Sequence, residues 1–350
     1  MKILHLIMTF ETGGAETMLV DIMNKQIKDY EVSLAIMNNS FSENLISEIN
    51  NKIKIHYINR PRGSYNPYYF LKLNAIIWKE KPDIIHCHNS YFPKYLLYSK
   101  KQIFLTVHDI GHTLPHVRNI SRIFAISDEV HSDILSRCDN KNVVTVPNGI
   151  NFDEISPKDS FKDIDIFKIV MVSRLDHQKK GQDILLNAID IIVNQYKNRN
   201  IHVDYIGEGN SLDYLELMVK NLNLHQYITF LGNRSRKYIY SHLHEYDLLI
   251  QPSRKEGFGL TVVEGLAAGL IVLVSAQEGP YEIIAEGKYG LFFRNEDVID
   301  CANKILTAMS YSTEKRKEIS LLGTQRAMDY SLDNTLNKYS YFYKLTKKEI

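Results

Sequence analysis

The sequence predicts an α/β protein built from two doubly wound, Rossmann-like domains, and three observations carry that expectation. Apolar runs of strand length alternate with stretches of helical periodicity through most of the chain, as parallel sheets covered by crossover helices require. Most of those runs are continuously apolar, the mark of strands buried on both faces. The pattern also stops once, at the turn Val146-Pro147-Asn148-Gly149-Ile150, and then starts again with a second strand, turn and helix of the same kind.

Taken in order, the first half predicts strands at Lys2–Met8, Glu31–Met37, Ile53–Ile58, Asp83–Cys87, Ile103–Val107, Ile123–Ile126 and Val143–Val146. Helices are expected from Ala15 to about Lys28, and at Pro67–Lys79, Phe92–Ser99 and Asp128–Arg137, the last with Ser127-Asp128 at its N-cap. The polar stretch Asn151–Asp165 reads as a linker. Beyond it come strands at Phe167–Val172, Val203–Ile206, Tyr227–Leu231 and Leu248–Ile250, with helices at Gln182–Tyr196, Leu212–Leu222 and about Leu260–Ala268. The domains so read are 1–150 and 151–330. The Tyr-rich segment 331–350 is helical in character and is expected to pack back towards the first domain. Two facing domains of this kind hold a ligand in the cleft between their strand C-termini.

Composition narrows the function classes. A chain of 350 residues is long for one core and comfortable for two. Its 44% hydrophobic and 24% charged residues argue against disorder, and a net charge of +1 makes no electrostatic case for nucleic acid. The small surplus of base lies in residues 1–150, a sign that suits anionic lipid or an acidic acceptor. Three distant cysteines, Cys87, Cys138 and Cys301, point to a reducing compartment and match no disulfide or zinc spacing. The opening apolar run ends at Thr9 and is followed by Glu11 and two glycines, too short and polar for a signal peptide. No apolar stretch approaches the roughly 18 residues of a spanning helix. The expectation is a soluble cytoplasmic protein, with peripheral contact with the inner face of the membrane left open.

The most informative stretch runs from Gln251 to Glu264. An apolar strand leads into a Pro- and Gly-rich loop and then a helix, so backbone N–H groups and the positive helix end are aimed above the strand, where phosphate binds readily. Glu256 and Glu264 stand eight positions apart, too far to share a proton or a metal, but placed to hold opposite ends of one elongated ligand. Gly13-Gly14-Ala15-Glu16 makes a similar, weaker turn after the first strand. Arg174 and Lys180 bracket a loop after Phe167–Val172 and could neutralise a diphosphate; the adjacent Lys179 leaves open which lysine turns inward. Gly207-Glu208-Gly209 lacks the third glycine of a dinucleotide fingerprint, since Leu212 stands there, which disfavours a nicotinamide dehydrogenase. Asp163-Ile164-Asp165 reads as solvated charge. His108 ends a first-domain strand, where a neutral imidazole could donate to a sugar hydroxyl or phosphate. The nearby His86, His88, His112 and His116 match no metal signature.

Together these residues resemble family 4 of the retaining glycosyltransferases, which have the GT-B architecture. The resemblance covers nearly the whole chain, through Gly13-Gly14-Ala15-Glu16, Val146-Pro147-Asn148-Gly149-Ile150, Ser173-Arg174-Leu175 with Lys180-Gly181, Gly207-Glu208-Gly209 and Leu231-Gly232. Its most specific part is Pro252-Ser253 through Glu256-Gly257-Phe258-Gly259 to Glu264, the family's Glu-x7-Glu pattern. Asn151 stands where an acid is frequent and Ser173 where a glycine is frequent before Arg174, and neither removes a chemical group.

The resemblance implies a nucleotide-diphosphate sugar, a UDP-sugar foremost, bound mainly by the second domain. Glu264 would hold the ribose hydroxyls and Glu256 would face the sugar, while the backbone at Phe258, Gly259 and Leu260 would line sugar and phosphate. Arg174 and Lys180 would hold the diphosphate, Gly14 would close from the other domain, and His108 would sit near the sugar on the acceptor side. Base contacts would come from loops near Gly207 and Asn233. The acceptor would be a carbohydrate or lipid-linked saccharide, in cell-surface polysaccharide synthesis, with no cofactor and no obligatory divalent metal. Competing expectations are a non-catalytic nucleotide-sugar-binding subunit of a glycosylation complex, or a nucleotide-sugar epimerase or phosphorylase on the same architecture.

Overall fold

A computed structural model describes residues 1–99, 102–118, 120–138, 142–161, 164–276 and 278–349. The chain folds as two compact units, Met1–Gly149 with Leu332–Ile350, and Ile150–Ser331. The first unit runs β1 (Lys2–Ile7), α1 (Gly14–Gln26), β2 (Glu31–Asn38), α2 (Glu43–Ser47), β3 (Lys54–Arg60), α3 (Pro67–Glu80), β4 (Ile84–Cys87), α4 (Phe92–Tyr95), β5 (Ile103–Val107), β6 (Arg122–Ala125), α5 (Asp128–Arg137) and β7 (Val143–Thr145). Its seven strands are parallel in the order β3-β2-β1-β4-β5-β6-β7. Strands β4 and β5 are buried at every position, which is why their sequences carry no polar alternation. Ser127 caps α5 as expected, accepting from the Val130 N–H at 3.2 Å.

The second unit runs β8 (Phe167–Val172), α6 (His177–Lys180), α7 (Gln182–Asp190), β9 (Ile201–Ile206), α8 (Leu212–Asn221), β10 (Ile228–Gly232), α9 (Arg236–His242), β11 (Leu248–Gln251), α10 (Leu260–Ala267), β12 (Ile271–Ser275), α11 (Glu278–Ile283), β13 (Leu291–Phe293), α12 (Val298–Met309) and α13 (Thr313–Ala327). Six parallel strands lie in the order β10-β9-β8-β11-β12-β13. Its core packs Phe167, Ile169 and Met171 of β8 and Val203 and Tyr205 of β9 against α7 and α12. The last helix, α14 (Leu332–Glu349), returns to the first unit, with Tyr339 and Tyr343 fully buried there. Thr335 donates to the Pro147 carbonyl at 2.8 Å, and Lys25 pairs with Asp333 at 2.7 Å.

Two predicted helices differ. The expected helix Phe92–Ser99 ends at Tyr95, because the Asn74 side chain on α3 takes over the backbone: it donates to the Tyr95 carbonyl at 2.9 Å and accepts from the Leu97 N–H at 2.8 Å. The expected helix Gln182–Tyr196 is α-helical only to Asp190 and closes in a π turn over Ile191–Gln195. Of the Asp-x-Asp pair, Asp163 lies outside the described residues and Asp165 is exposed.

Candidate functional site

In the second unit the strand order reverses between β8 and β11, so the chains leaving these neighbours turn to opposite faces and open a crevice at the sheet's carboxyl edge. The loops there are Ser173–Gly181 and Pro252–Gly259, the two charged stretches singled out in the sequence. They meet backbone to backbone. Gly181 has φ +71°, and a Cβ on it would lie 2.0 Å from the Pro252 carbonyl oxygen, so no other residue fits without moving a loop. The Arg254 N–H donates to the Lys179 carbonyl at 2.9 Å. The Arg254 guanidinium grips Asp183 of α7 through two bonds of 2.8 and 2.9 Å and reaches the His177 carbonyl at 2.6 Å. That bidentate clamp holds the second loop to the helix that follows the first.

Upon this frame the charges converge. The Lys180 ammonium pairs with the Glu256 carboxylate, whose Oε2 also accepts from Gln251 Nε2 at 3.0 Å. Thr261 Oγ1 donates to Gln251 Oε1 at 2.7 Å, so Gln251 at the end of β11 ties the loop to the first turn of α10. Gly259 precedes α10 at φ +98° and supplies no side-chain cap, which leaves the helix's positive end to a ligand. Phe258 is buried, its ring edge-on to Tyr330 with centroids 5.6 Å apart, so only its backbone is offered to the crevice, next to that of Leu260. Glu264, one turn into α10, accepts from the Tyr240 hydroxyl at 2.9 Å. Arg174 is exposed, and its guanidinium makes no hydrogen bond or ion pair among the described residues. Lys179 is half-buried. Gly207 follows β9 with its backbone against the Ser173 carbonyl, and the exposed Asn233 follows β10, its N–H 3.4 Å from Glu208 Oε1.

The first unit holds the other two predicted residues, each by itself at a strand's carboxyl end. Gly14 is the exposed first residue of α1, after Gly13 at the N-cap. His108 follows β5 and ends a row of imidazoles drawn from adjacent strands. Its Nε2 lies 3.3 Å from His88 Nδ1; His88 Nε2 lies 3.0 Å from His5 Nδ1; and His5 Nε2 lies 2.8 Å from Gln26 Oε1. Beside them His86 meets the Tyr343 hydroxyl at 2.6 Å and Thr106 at 2.7 Å. Burial holds His5 near pKa 4; burial, and then the charge of His112, hold His108 near 4 as well. His86 and His88 are pushed well below the usual value by burial and by their neighbouring imidazoles. All four are therefore neutral at pH 7. His5, His86 and His88 bring ring nitrogens within 4.8 Å of one another, near enough for a metal ion. Each of those six nitrogens already has a hydrogen-bond partner, so a cation there would have to displace the network.

Sequence reasoning missed Gln251, Arg254 and Tyr240 as parts of the site, and Gln26 and His5 behind His108. Gln251 and Arg254 lay inside the quoted motif without a role. Their partners are 5 to 77 positions away, and no spacing rule reaches those.

Two family models match the chain in succession: Glycosyltransferase Family 4 over residues 12–154 and Glycosyl transferases group 1 over residues 152–325. An uncharacterized glycosyltransferase of Methanocaldococcus jannaschii is 28% identical over 95% of this chain and 94% of its own length. The poly(ribitol-phosphate) alpha-N-acetylglucosaminyltransferase of Staphylococcus aureus is 23% identical over 65% of this chain and 45% of its own. Among solved structures, Anabaena HepE in complex with UDP and glucose superposes with a TM-score of 0.79 at 20% identity, over 97% of this chain and 98% of that one. With both units matched by glycosyltransferase family models, and with two parallel-sheet units of this topology, the chain belongs to the glycosyltransferases of GT-B fold.

Proposed function

We propose that this glycosyltransferase is a retaining enzyme that moves a hexose from a UDP-sugar to a hydroxyl of a carbohydrate or lipid-linked saccharide, without an obligatory divalent metal. The observation that carries the reading is the Lys180–Glu256 pair, with Gln251 as third member, set beside the uncapped start of α10. Cleaving the anomeric C–O bond leaves its electron pair on the diphosphate, which needs cations and N–H donors as its charge grows. Lys180, the unengaged Arg174 and the α10 N-terminus supply them. Glu264, oriented by Tyr240, is suited to the ribose hydroxyls. Glu256 is a poor nucleophile where it stands, because Lys180 neutralises its charge and Gln251 occupies the same oxygen. Its role is to orient the sugar. The acceptor hydroxyl attacks from the leaving group's own face and passes its proton to the departing phosphate oxygen, which accounts for retention without a covalent enzyme intermediate.

The HepE complex with UDP and glucose supports a UDP-linked donor, and the S. aureus relative's name supports a cell-surface polymer as the product. The first unit also carries a surface suited to the inner face of a membrane. Tyr68, Leu71 and Trp78 form one outward stripe of α3, at 60, 58 and 52% exposure, and Leu97 stands exposed beside them. Arg62, Lys79, Lys81 and Lys94 are exposed around the stripe, and the one acid of α3, Glu80, is paired with Lys54. Interfacial aromatics ringed by cations suit anionic lipid.

The test is a panel of nucleotide sugars screened by thermal shift, followed by product analysis with the best donor. A UDP-hexose raising the melting temperature, with the α-anomer formed from an α-linked donor, agrees with the proposal. Inversion, or a glycosyl adduct trapped on Glu256, ends it.

A further inference from the structure

We propose that Gln26, acting through His5 and His88, fixes His108 as the Nε2–H tautomer, so that His108 accepts a hydrogen bond from a substrate hydroxyl at Nδ1. This rests on the reading of His108 as a substrate-facing residue. The direction follows from one end of the chain of contacts. A carboxamide oxygen only accepts, so His5 must hold its proton on Nε2 to use the 2.8 Å contact with Gln26 Oε1. His5 Nδ1 is then a lone pair, and His88 must donate to it from Nε2 across 3.0 Å. His88 Nδ1 is in turn a lone pair, and His108 must donate to it from Nε2 across 3.3 Å. One proton remains to each neutral ring, and His108 Nδ1 is left bare. That atom is buried and has no hydrogen-bond partner among the described residues.

The amide orientation of Gln26 rests on the 2.8 Å contact of its Oε1 with His5 Nε2, and in this orientation its Nε2 is buried and makes no hydrogen bond among the described residues. Turned the other way, Gln26 would set an N–H against His5 and reverse every ring. His108 would then donate at Nδ1, the behaviour expected of it from sequence alone. The row ends on an amide, which takes up no proton, so it orients His108 and does not conduct protons. A buried nitrogen lone pair left bare is costly and is relieved by a ligand O–H or N–H, not by a phosphate or carbonyl oxygen. His108 is therefore placed to select a hydroxyl, and Gln26, His5 and His88 are positioning residues behind it.

Nitrogen-15 NMR of histidine-labelled protein reads each tautomer directly, before any variant is made. The expected spectrum at pH 7 shows His5, His88 and His108 neutral, protonated on Nε2 and bare at Nδ1. A proton on Nδ1 of His108 overturns the proposal. Gln26→Met removes the acceptor at similar length, and Gln26→Glu restores it. In Gln26→Met the three rings should lose their single tautomer, and UDP-glucose turnover should fall roughly fivefold at little-changed KM, the effect of one misdirected hydrogen bond. Gln26→Glu should recover the Nε2–H signature. Unchanged tautomers in a folded Gln26→Met protein count against the proposal. If His108→Ala turns over UDP-glucose normally while the tautomers are as stated, the substrate-facing role of His108 falls and the tautomer chain stands.

Discussion

Acid should unfold the first unit before the second, and the imidazole row sets the size of the effect. His5 and His108 have folded-state pKa values near 4, held down by burial, against an ordinary 6.5. Their folded pKa lies below the unfolded one, so between these values the unfolded chain binds more protons. The stability they contribute is complete above pH 6.5 and is lost as pH falls towards 4. Each shift corresponds to about 3 kcal/mol in full, and at pH 5 to about 2 kcal/mol, from 1.36 kcal/mol per unit. The two together remove about 4 kcal/mol at pH 5, a large part of the roughly 5–15 kcal/mol that holds a domain folded. His86 and His88 are displaced in the same direction and add to the loss. For a unit of this size that is a fall of about 10 °C in melting temperature between pH 7 and pH 5. In the second unit Asp204, where burial pushes upward but hydrogen bonds to His202 and Tyr246 hold the carboxyl low, gives up its share only below about pH 4. Hydrogen exchange followed by peptide mass at pH 7, 6 and 5 resolves the units. Protection in β1, β4 and β5 should drop while β8, β9 and β11 keep theirs. Equal protection in the first unit at pH 7 and pH 5 would show that the imidazoles are not buried neutral groups, and the tautomer argument would go with them.

Arg174→Ala removes an exposed cation that has no partner among the described residues, so the melting temperature should stay within about 1 °C while turnover of the donor drops about a hundredfold. Normal turnover would return Arg174 to the status of a surface charge. Gly259→Ala puts a side chain on a residue at φ +98° and brings its Cβ to 3.0 Å from Pro280 Cγ, so calorimetry should show a loss of about 1–3 kcal/mol, with weaker UDP binding by titration. A variant as stable as the parent would mean that the loop relaxes freely. Trp78 is the only tryptophan in the chain, so its fluorescence reports the α3 stripe alone. Vesicles rich in phosphatidylglycerol should shift it to the blue and neutral vesicles should not, whereas a shift that depends on protein concentration without lipid would indicate a second copy on that face.

Most of the fold was legible in the sequence because buried parallel strands announce themselves. The runs Ile103–Val107 and Phe167–Val172 were placed to the residue, since an element that is apolar on both faces needs no partner to be recognised. Where the outcome depended on a side chain arriving from elsewhere, the reading failed. Phe92–Ser99 has helical composition, but Asn74, from α3, captures its backbone groups after Tyr95. The stretch from Gly269 to Tyr330 was left without elements, although Ile271–Ser275 is as apolar as the strands that were read and pairs with β11 along its length.

The site divides along the same line. Gly181, Glu256, Gly259 and Glu264 were visible because a close approach, a positive φ or a fixed spacing is written into neighbouring residues. The residues that set their state are long-range: Lys180 reaches Glu256 across 76 positions, and Arg254 reaches Asp183 across 71. The same division explains His108. Its position at the end of β5 could be read from the sequence, whereas its neutrality follows from its burial in the fold. The direction of its hydrogen bond could not be read either, because that is decided at Gln26, three residues away through space and most of a domain away in sequence. A motif names the group that meets the substrate, whereas the fold decides which of its atoms carries the proton.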